Sequence, residues 1–212
     1  MQSYAAAMTE APPSDSPGHQ RRLAPSERRT RALDAFIDLT LERGAHPRPE
    51  EVAERAEVSI ASLYRYFADL DELRHDSTAR LAERYPELFR ISKIGIGSRQ
   101  ERIASFTAAR LALHETLHPL QLLARATGQD DPLAQRLVDD VRSAMAEQIR
   151  RHFETELLAL SKSHREDTVA TIAALTSVES WEHFRRTHGR TPNQTRRAWR
   201  TAIDRVLPER PT

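Results

Sequence analysis

Between residues 43 and 67 two short helical patterns meet across a turn of about three residues, and that arrangement leaves few folds open. The segment reads R-G-A-H-P-R-P-E-E-V-A-E-R-A-E-V-S-I-A-S-L-Y-R-Y-F. Pro49 followed by Glu50 and Glu51 is a helix start, because proline suits the first helical position and the carboxylates face the positive end of the macrodipole. That helix is expected to run to about Ala56, with Val52, Ala53 and Ala56 forming a small apolar side on which a second helix can cross closely. Glu57, Val58 and Ser59 read as the turn, with Ser59 capping a helix over 60–67. In this second helix Leu63 and Phe67 share an inward face at i, i+4. Ile60, Ala61, Ser62, Tyr64, Arg65 and Tyr66 are left on or near the outside. Methyls, a hydroxyl, two phenols and a guanidinium are the groups a major groove and its phosphate rails can use.

The flanks continue in helical phase. A first helix is expected from Ser26, taken as its N-cap, to Gly44, with Leu33, Phe36, Ile37 and Thr40 on one face. A long helix from about 69 to 89 should follow the second short one, with Leu73, Leu81, Tyr85 and Leu88 roughly in phase. Ser98 and Glu101 form a capping box for a helix carrying Ile103, Phe106, Leu113 and Leu117, which Pro119 should kink or restart. Asp131 and Pro132 open a helix whose stripe of Leu133, Leu137, Val141, Met145, Ile149, Phe153 and Leu157 crosses the body. Ser163 with Glu166 boxes a further helix carrying Val169, Ile172, Thr176, Trp181 and Phe184. Thr191, Pro192 and Gln194 open the last, with Trp199, Ala202, Ile203, Val206 and Leu207. No segment reads as a strand, so the expected fold class is all-α.

The stretch A-x-x-A-x-V-S-x-x-S-L-Y-R-Y-F, from Ala53 to Phe67, together with the helix before it and F-A-D-L-D-E-L after it, resembles the DNA-binding domain of the TetR (tetracycline repressor) family. This chain departs from the family pattern in carrying Glu57 and Ala61 where glycine is usual, and Leu70 where a phosphate-binding lysine usually opens the next helix. The resemblance implies an N-terminal helix-turn-helix domain over 26–73 and a helical effector-binding and dimerisation domain over 74–208; residues 1–25, rich in Pro, Ser, Ala and Gly without apolar periodicity, read as a disordered arm ahead of them. It implies that Ile60, Ala61 and Ser62 approach base edges, and that Ser62, Tyr64 and Tyr66 approach phosphates beside Arg65. Ser59, Arg28 and Arg48 complete the DNA-facing set. Similar proteins line their effector pocket with the helices that here carry Phe106, Leu113, His114, Leu122, Met145 and Phe153, and build a four-helix dimer interface from the two that carry Trp181, Trp199, Ile203 and Val206. The implied activity is transcriptional regulation, in the form of a repressor that binds a palindromic operator as a homodimer and responds to a small molecule.

Composition bounds this reading. A net charge of +1 means that any attraction to DNA comes from local clustering, and Arg21, Arg22, Arg28, Arg29 and Arg31 supply a cluster near the N-terminus. With no cysteine, thiolate metal sites and cysteine nucleophiles are excluded. No apolar run approaches the ~20 residues of a membrane span and no secretory leader is evident, so a cytoplasmic protein without a membrane partner is expected. One motif points to another class: His114, Glu115 and His118 match H-E-x-x-H, the arrangement that holds catalytic zinc on a helix. Zinc needs a third ligand, for which Glu147 is a distant candidate. The metzincin continuation fails at Gln121 and Ala124, and Pro119 bends the helix at the site. A zinc metalloprotease or a metal-responsive regulator is therefore the alternative, and the expectation is a non-enzyme with no metal or cofactor.

Overall fold

The computed structural model describes residues 24–127 and 132–208, and every regular element among them is helical. The arm expected at the N-terminus, with Arg21 and Arg22, lies outside the described residues as far as residue 23. So do Asp131 and the side chains of Leu133 and Leu137. The first helix, α1, spans Pro25–Arg43. Pro25 rather than Ser26 begins it, since proline fits the first position without costing a hydrogen bond, and the Glu27 carboxylate accepts from the Ala24 amide at 2.7 Å. Gly44 ends it in the left-handed region (φ 66°), where its N–H donates to the Thr40 carbonyl at 2.8 Å.

The two short helices follow as α2 (Pro49–Arg55) and α3 (Ile60–Tyr66). Glu51 reaches back to the Arg48 amide at 2.8 Å and to the guanidinium of Arg43 at 2.6 Å, which hold its carboxyl down at about 2. Its contribution to the helix start is accordingly present above the ordinary carboxylate pKa of 4.5 and fades as pH falls from there towards 2. Ala32, Phe36, Val52, Ala53, Leu63, Phe67 and Leu73 close a core beneath the pair. Glu57, in the turn, takes φ 55°, a conformation that costs an L-residue about 1 kcal/mol or more, and Arg31 pairs with its carboxylate at 2.6 Å. Glu57→Val is expected to cost about 1–2 kcal/mol because a β-branched side chain is most strained there, whereas Glu57→Gly should leave stability within about 1 kcal/mol of the parent. Urea unfolding of the two variants checks this.

Helix α4 (Leu70–Arg84) is capped by Asp69, which accepts from the Glu72 amide at 2.8 Å. It ends sooner than periodicity suggests. Tyr85 precedes Pro86, whose ring pushes the residue before it out of the helical region, and Tyr85 takes φ −127°, ψ 53°. Four arginine–aspartate pairs lace α4 to α1: Arg29 to Asp76, Arg80 to Asp34 at 2.9 Å, and Arg84 to Asp38 at 2.7 Å and to Asp34 at 3.6 Å.

The long α5 (Arg99–Thr127) opens on the expected box, with Ser98 donating its amide to Glu101 at 2.7 Å, and it runs through Pro119 as one element without restarting. It packs against α1, α6, α9 and α10 and so forms the axis of the body. The stripe expected as one helix as far as Leu157 is two elements, α6 (Pro132–His152) and the short α7 (Glu154–Leu157), broken at Phe153. Ser161, not Ser163, caps α8 (Lys162–Leu175), accepting from the His164 amide. This helix stops at Thr176; Ser177 then caps α9 (Val178–Glu182), which passes into a π-turn over His183–Thr187. The last helix, α10 (Pro192–Val206), has the expected cap, Thr191 and Gln194 exchanging amide bonds at 3.0 and 3.2 Å. Ile37 of α1 and Leu81 of α4 share a cluster with Leu113 and Leu117 of α5, so the N-terminal helices and the body have a common core. Among the described residues no helix is long and apolar enough to cross a membrane.

Candidate nucleic-acid interface and interior cavity

The helix-turn-helix presents its second helix outward for local reasons. Ser59 accepts from the Ser62 amide at 3.1 Å, which fixes where α3 begins, and burial of Leu63 and Phe67 then fixes its rotation. Ile60, Ala61, Tyr64 and Arg65 are exposed, with 53% of Tyr64 open to solvent. Ser62 is half-buried and accepts from Arg65 at 3.2 Å. Tyr66 departs from the outward set, because its ring packs partly on the Leu63–Phe67 core. Its phenol remains available between two guanidiniums: Arg65, stacked on the ring at 5.4 Å, and Arg28 together lower its pKa, Arg65 more strongly.

Charge is distributed less evenly than the arginine count suggests. Arg29 and Arg31 are neutralised by Asp76 and Glu57, and Arg48 shares Glu51 with Arg43. Among the described residues Arg28 and Arg65 have no carboxylate partner. One from the first turn of α1 and one from α3, they converge on the Tyr66 phenol and make a ready seat for a phosphate oxygen.

Behind this face lies a cavity of about 460 Å³, bounded by α1, α4, α5, α6, α8 and α9. Its walls are apolar at Leu117, Leu120, Val141, Met145 and Ile149, and polar at Arg110, His114 and Gln121. Of the residues expected in a pocket, His114 and Met145 line this space. Phe106, Leu113 and Phe153 do not: they are fully buried in the body's core. Leu122 lines a separate surface recess with His118 and Arg186. Arg110 was not legible as a wall residue, since an arginine on an amphipathic helix ordinarily reads as solvated.

His114 Nε2 lies 2.9 Å from the Thr176 carbonyl, which can only accept, so that nitrogen carries a proton. Burial lowers the His114 pKa and favours the neutral ring, while Nδ1 lies 2.8 Å from Gln121 Oε1. The other members of H-E-x-x-H are held as firmly. Glu115 accepts from Trp181 Nε1 at 2.8 Å and from Arg185 Nε at 2.6 Å, and the His118 ring stacks on Trp181 at 4.4 Å. This motif serves as a clamp between α5 and α9, and among the described residues no group of three histidine or acidic side chains is placed to hold a metal.

The side chains expected at a dimer interface are inside one chain. Trp181, Trp199 and Ile203 are buried, Trp199 edge-on to His114, and Val206 is half-buried against the same core. The amphipathic stripe of α10 meets its own body, on α5 and α8.

No family model matches this chain, and no curated protein matches its sequence. Solved structures match its fold. A candidate transcriptional regulator from Saccharomonospora viridis in complex with choline aligns with 87% of this chain and 100% of its own at a TM-score of 0.70 and 17% identity. A candidate transcriptional regulator from Streptomyces coelicolor A3(2) aligns with 86% of this chain and 99% of its own, at a TM-score of 0.61 and 20% identity. The multidrug binding protein EbrR complexed with imidazole covers 87% of this chain and 97% of its own, at 0.56 and 16%. The chain has the all-α fold of these regulator structures, with a helix-turn-helix ahead of a helical body that contains a cavity.

Proposed function

We propose that this chain is a TetR-like transcriptional regulator that binds a near-palindromic operator as a homodimer and loosens its grip when a small molecule occupies the cavity. The observation that carries the reading is the face of α3: an exposed helix with two guanidiniums that no carboxylate among the described residues neutralises. Ile60, Ala61 and Ser62 stand at the start of that helix, where short side chains reach base edges. Tyr64, Tyr66, Arg65 and Arg28 are the phosphate-holding groups. The likeness to regulator structures solved with choline and imidazole supports the ligand-responsive part.

The position of the cavity gives that response a route. Phe36 of α1 and Arg74, Ser77 and Thr78 of α4 form part of its wall, so an occupant touches the helices that carry the reading head. A ligand that prefers one setting of α4 shifts the population of head orientations, with a coupling of typically ~1–3 kcal/mol. Electrophoretic mobility of a labelled operator, titrated with protein and then with ligand, tests both halves.

The dimer surface is assigned to the outward side of α8, where Ala170, Thr171 and Ala174 are exposed and small enough for a second copy to approach closely. Ala174→Arg should give a folded monomer, because in a two-fold interface each new charge lies near its own copy. Ile203→Glu, by contrast, should unfold the chain, since Ile203 is fully buried within it. Light scattering with circular dichroism separates the two outcomes, and an Ala174→Arg dimer as tight as the parent would refute the assignment.

A further inference from the structure

We infer that the interior cavity takes an organic anion, a carboxylate on an apolar body, with the Arg110 guanidinium as its counter-charge. This rests in part on reading the cavity as an effector site, but its physical basis is independent of DNA. Arg110 is 2% exposed, yet its Nη2 donates only to the neutral acceptors Met145 O at 3.3 Å and Gln148 Oε1 at 3.0 Å. Among the described residues no carboxylate lies within salt-bridge distance of it, and burial alone lowers its pKa to about 10. The Phe106 ring lies beneath its guanidinium at 5.1 Å but carries no net charge, and a buried charge without a counter-ion costs several kcal/mol, so chains that keep one ordinarily have something to set against it.

The remaining groups agree on the sign of the missing charge. The acids at the cavity's edge are already paired: Asp71 with Arg74, and Glu179 with Arg125 at 3.6 Å and Arg142 at 3.5 Å. Inside, burial lowers the His114 pKa and both its nitrogens are engaged, by Gln121 Oε1 and the Thr176 carbonyl. The Ser77 hydroxyl, on a residue 2% exposed, has no hydrogen-bond partner among the described residues. The rings on the wall are those of Phe36, Phe89, His46, His75 and His114; among the described residues no tyrosine or tryptophan cage is there to receive a cation, and a cation would meet Arg110. A carboxylate would accept from the Nε and Nη1 groups of Arg110, for which no partner is found among the described residues, while its chain lies along Leu117, Leu120, Val141 and Ile149. At about 460 Å³ the space falls within the roughly 300–1,000 Å³ of sites that enclose small organic ligands.

Calorimetric titration of the full chain with decanoate, decanol and decyltrimethylammonium, all below their aggregation concentrations, tests the sign of charge at constant chain length. The parent should bind decanoate roughly 10- to 100-fold more tightly than decanol, and the ammonium most weakly. Arg110→Met should erase the preference for decanoate while keeping decanol affinity, and Arg110→Lys should retain part of it. Should Arg110→Met lose decanol binding as well, the parent's own ranking and the Arg110→Lys variant decide. Equal affinity for decanoate and decanol, tighter binding of the ammonium, or a preference that survives Arg110→Met would overturn the inference. The regulatory reading fails separately: Arg110-dependent decanoate binding that leaves operator affinity unchanged would refute ligand release while leaving the cavity's anion preference intact.

Discussion

Arg102→Met is expected to destabilise the fold by about 3–5 kcal/mol, a loss large enough to threaten folding of a domain this size. Arg102 is 4% exposed and Glu156 is 2% exposed; they form an ion pair that joins the start of α5 to α7. Arg102 also donates to the Gly97 carbonyl at 2.5 Å, tying down the loop that precedes α5. Removing the guanidinium leaves the Glu156 carboxylate buried and uncompensated, and one of its oxygens already lacks a partner among the described residues. The cost should therefore come mainly from the stranded charge rather than from the lost bond. Adding Glu156→Leu to Arg102→Met should recover most of the loss, because an apolar pair of similar volume replaces both ions. Urea unfolding of the parent, both single variants and the double variant gives the coupling directly. Additive losses in the double variant would show that the pair is not the unit described.

The second large effect is on DNA. Replacing Arg28 and Arg65 together by alanine should lower duplex affinity roughly a hundred- to thousandfold at physiological salt. It should also reduce the slope of log affinity against log salt by roughly 3 to 4, since two contacts per protomer are lost in a dimer and each is worth about 0.9. Arg29→Ala and Arg31→Ala should change that slope far less, because Asp76 and Glu57 already neutralise those side chains. Fluorescence anisotropy at several salt concentrations measures both quantities. Equal slopes for the Arg28, Arg65 and Arg29 variants would mean that the charge seat is not where α1 and α3 converge.

The division between what was legible in the sequence and what was not follows the range of the forces involved. Most helix starts set by neighbouring residues were readable: Pro49 with Glu51, Ser59, Ser98 with Glu101, and Thr191 with Gln194 each satisfy local amides and need nothing distant, whereas Ser26 and Ser163 lost to Ala24 and Ser161 a turn or less upstream. Rotation of α3 was readable for the same reason, from Leu63 and Phe67. Helix ends were harder. The stop at Tyr85 has a local cause in Pro86, but the breaks at Phe153 and Thr176 fall inside apolar stripes that keep their period across the break. Only packing against other helices reveals that the chain turns there.

The candidate site divides in the same way. Periodicity shows that α10 has one apolar face, but whether this face meets its own chain or a copy is a tertiary fact, and Trp199 and Ile203 are spent at home. Which arginines remain available to a phosphate depends on acids distant in sequence: Asp76 is 47 residues from Arg29, and Glu57 is 26 from Arg31. Arg110 lay hidden because an arginine's usual place is solvent, and the burial of this one is set by α6 and by Phe106 beneath it. The H-E-x-x-H match has the spacing zinc needs, but Trp181 and Arg185 hold Glu115, Gln121 and the Thr176 carbonyl hold His114, and the His118 ring is stacked on Trp181.

The central claim is that α3 reads DNA as one of a symmetric pair. Its most direct test is selection of bound sequences from randomised duplex DNA by the full-length protein without added ligand, at low and at physiological salt. The account predicts a near-palindromic site with half-sites about one helical turn or slightly more apart, altered preference when Ile60 or Ser62 is changed, and loss of binding without loss of preference in the Arg28 and Arg65 variants. Enrichment of no palindrome, or a folded protein that leaves duplex DNA unbound at low salt, would contradict it.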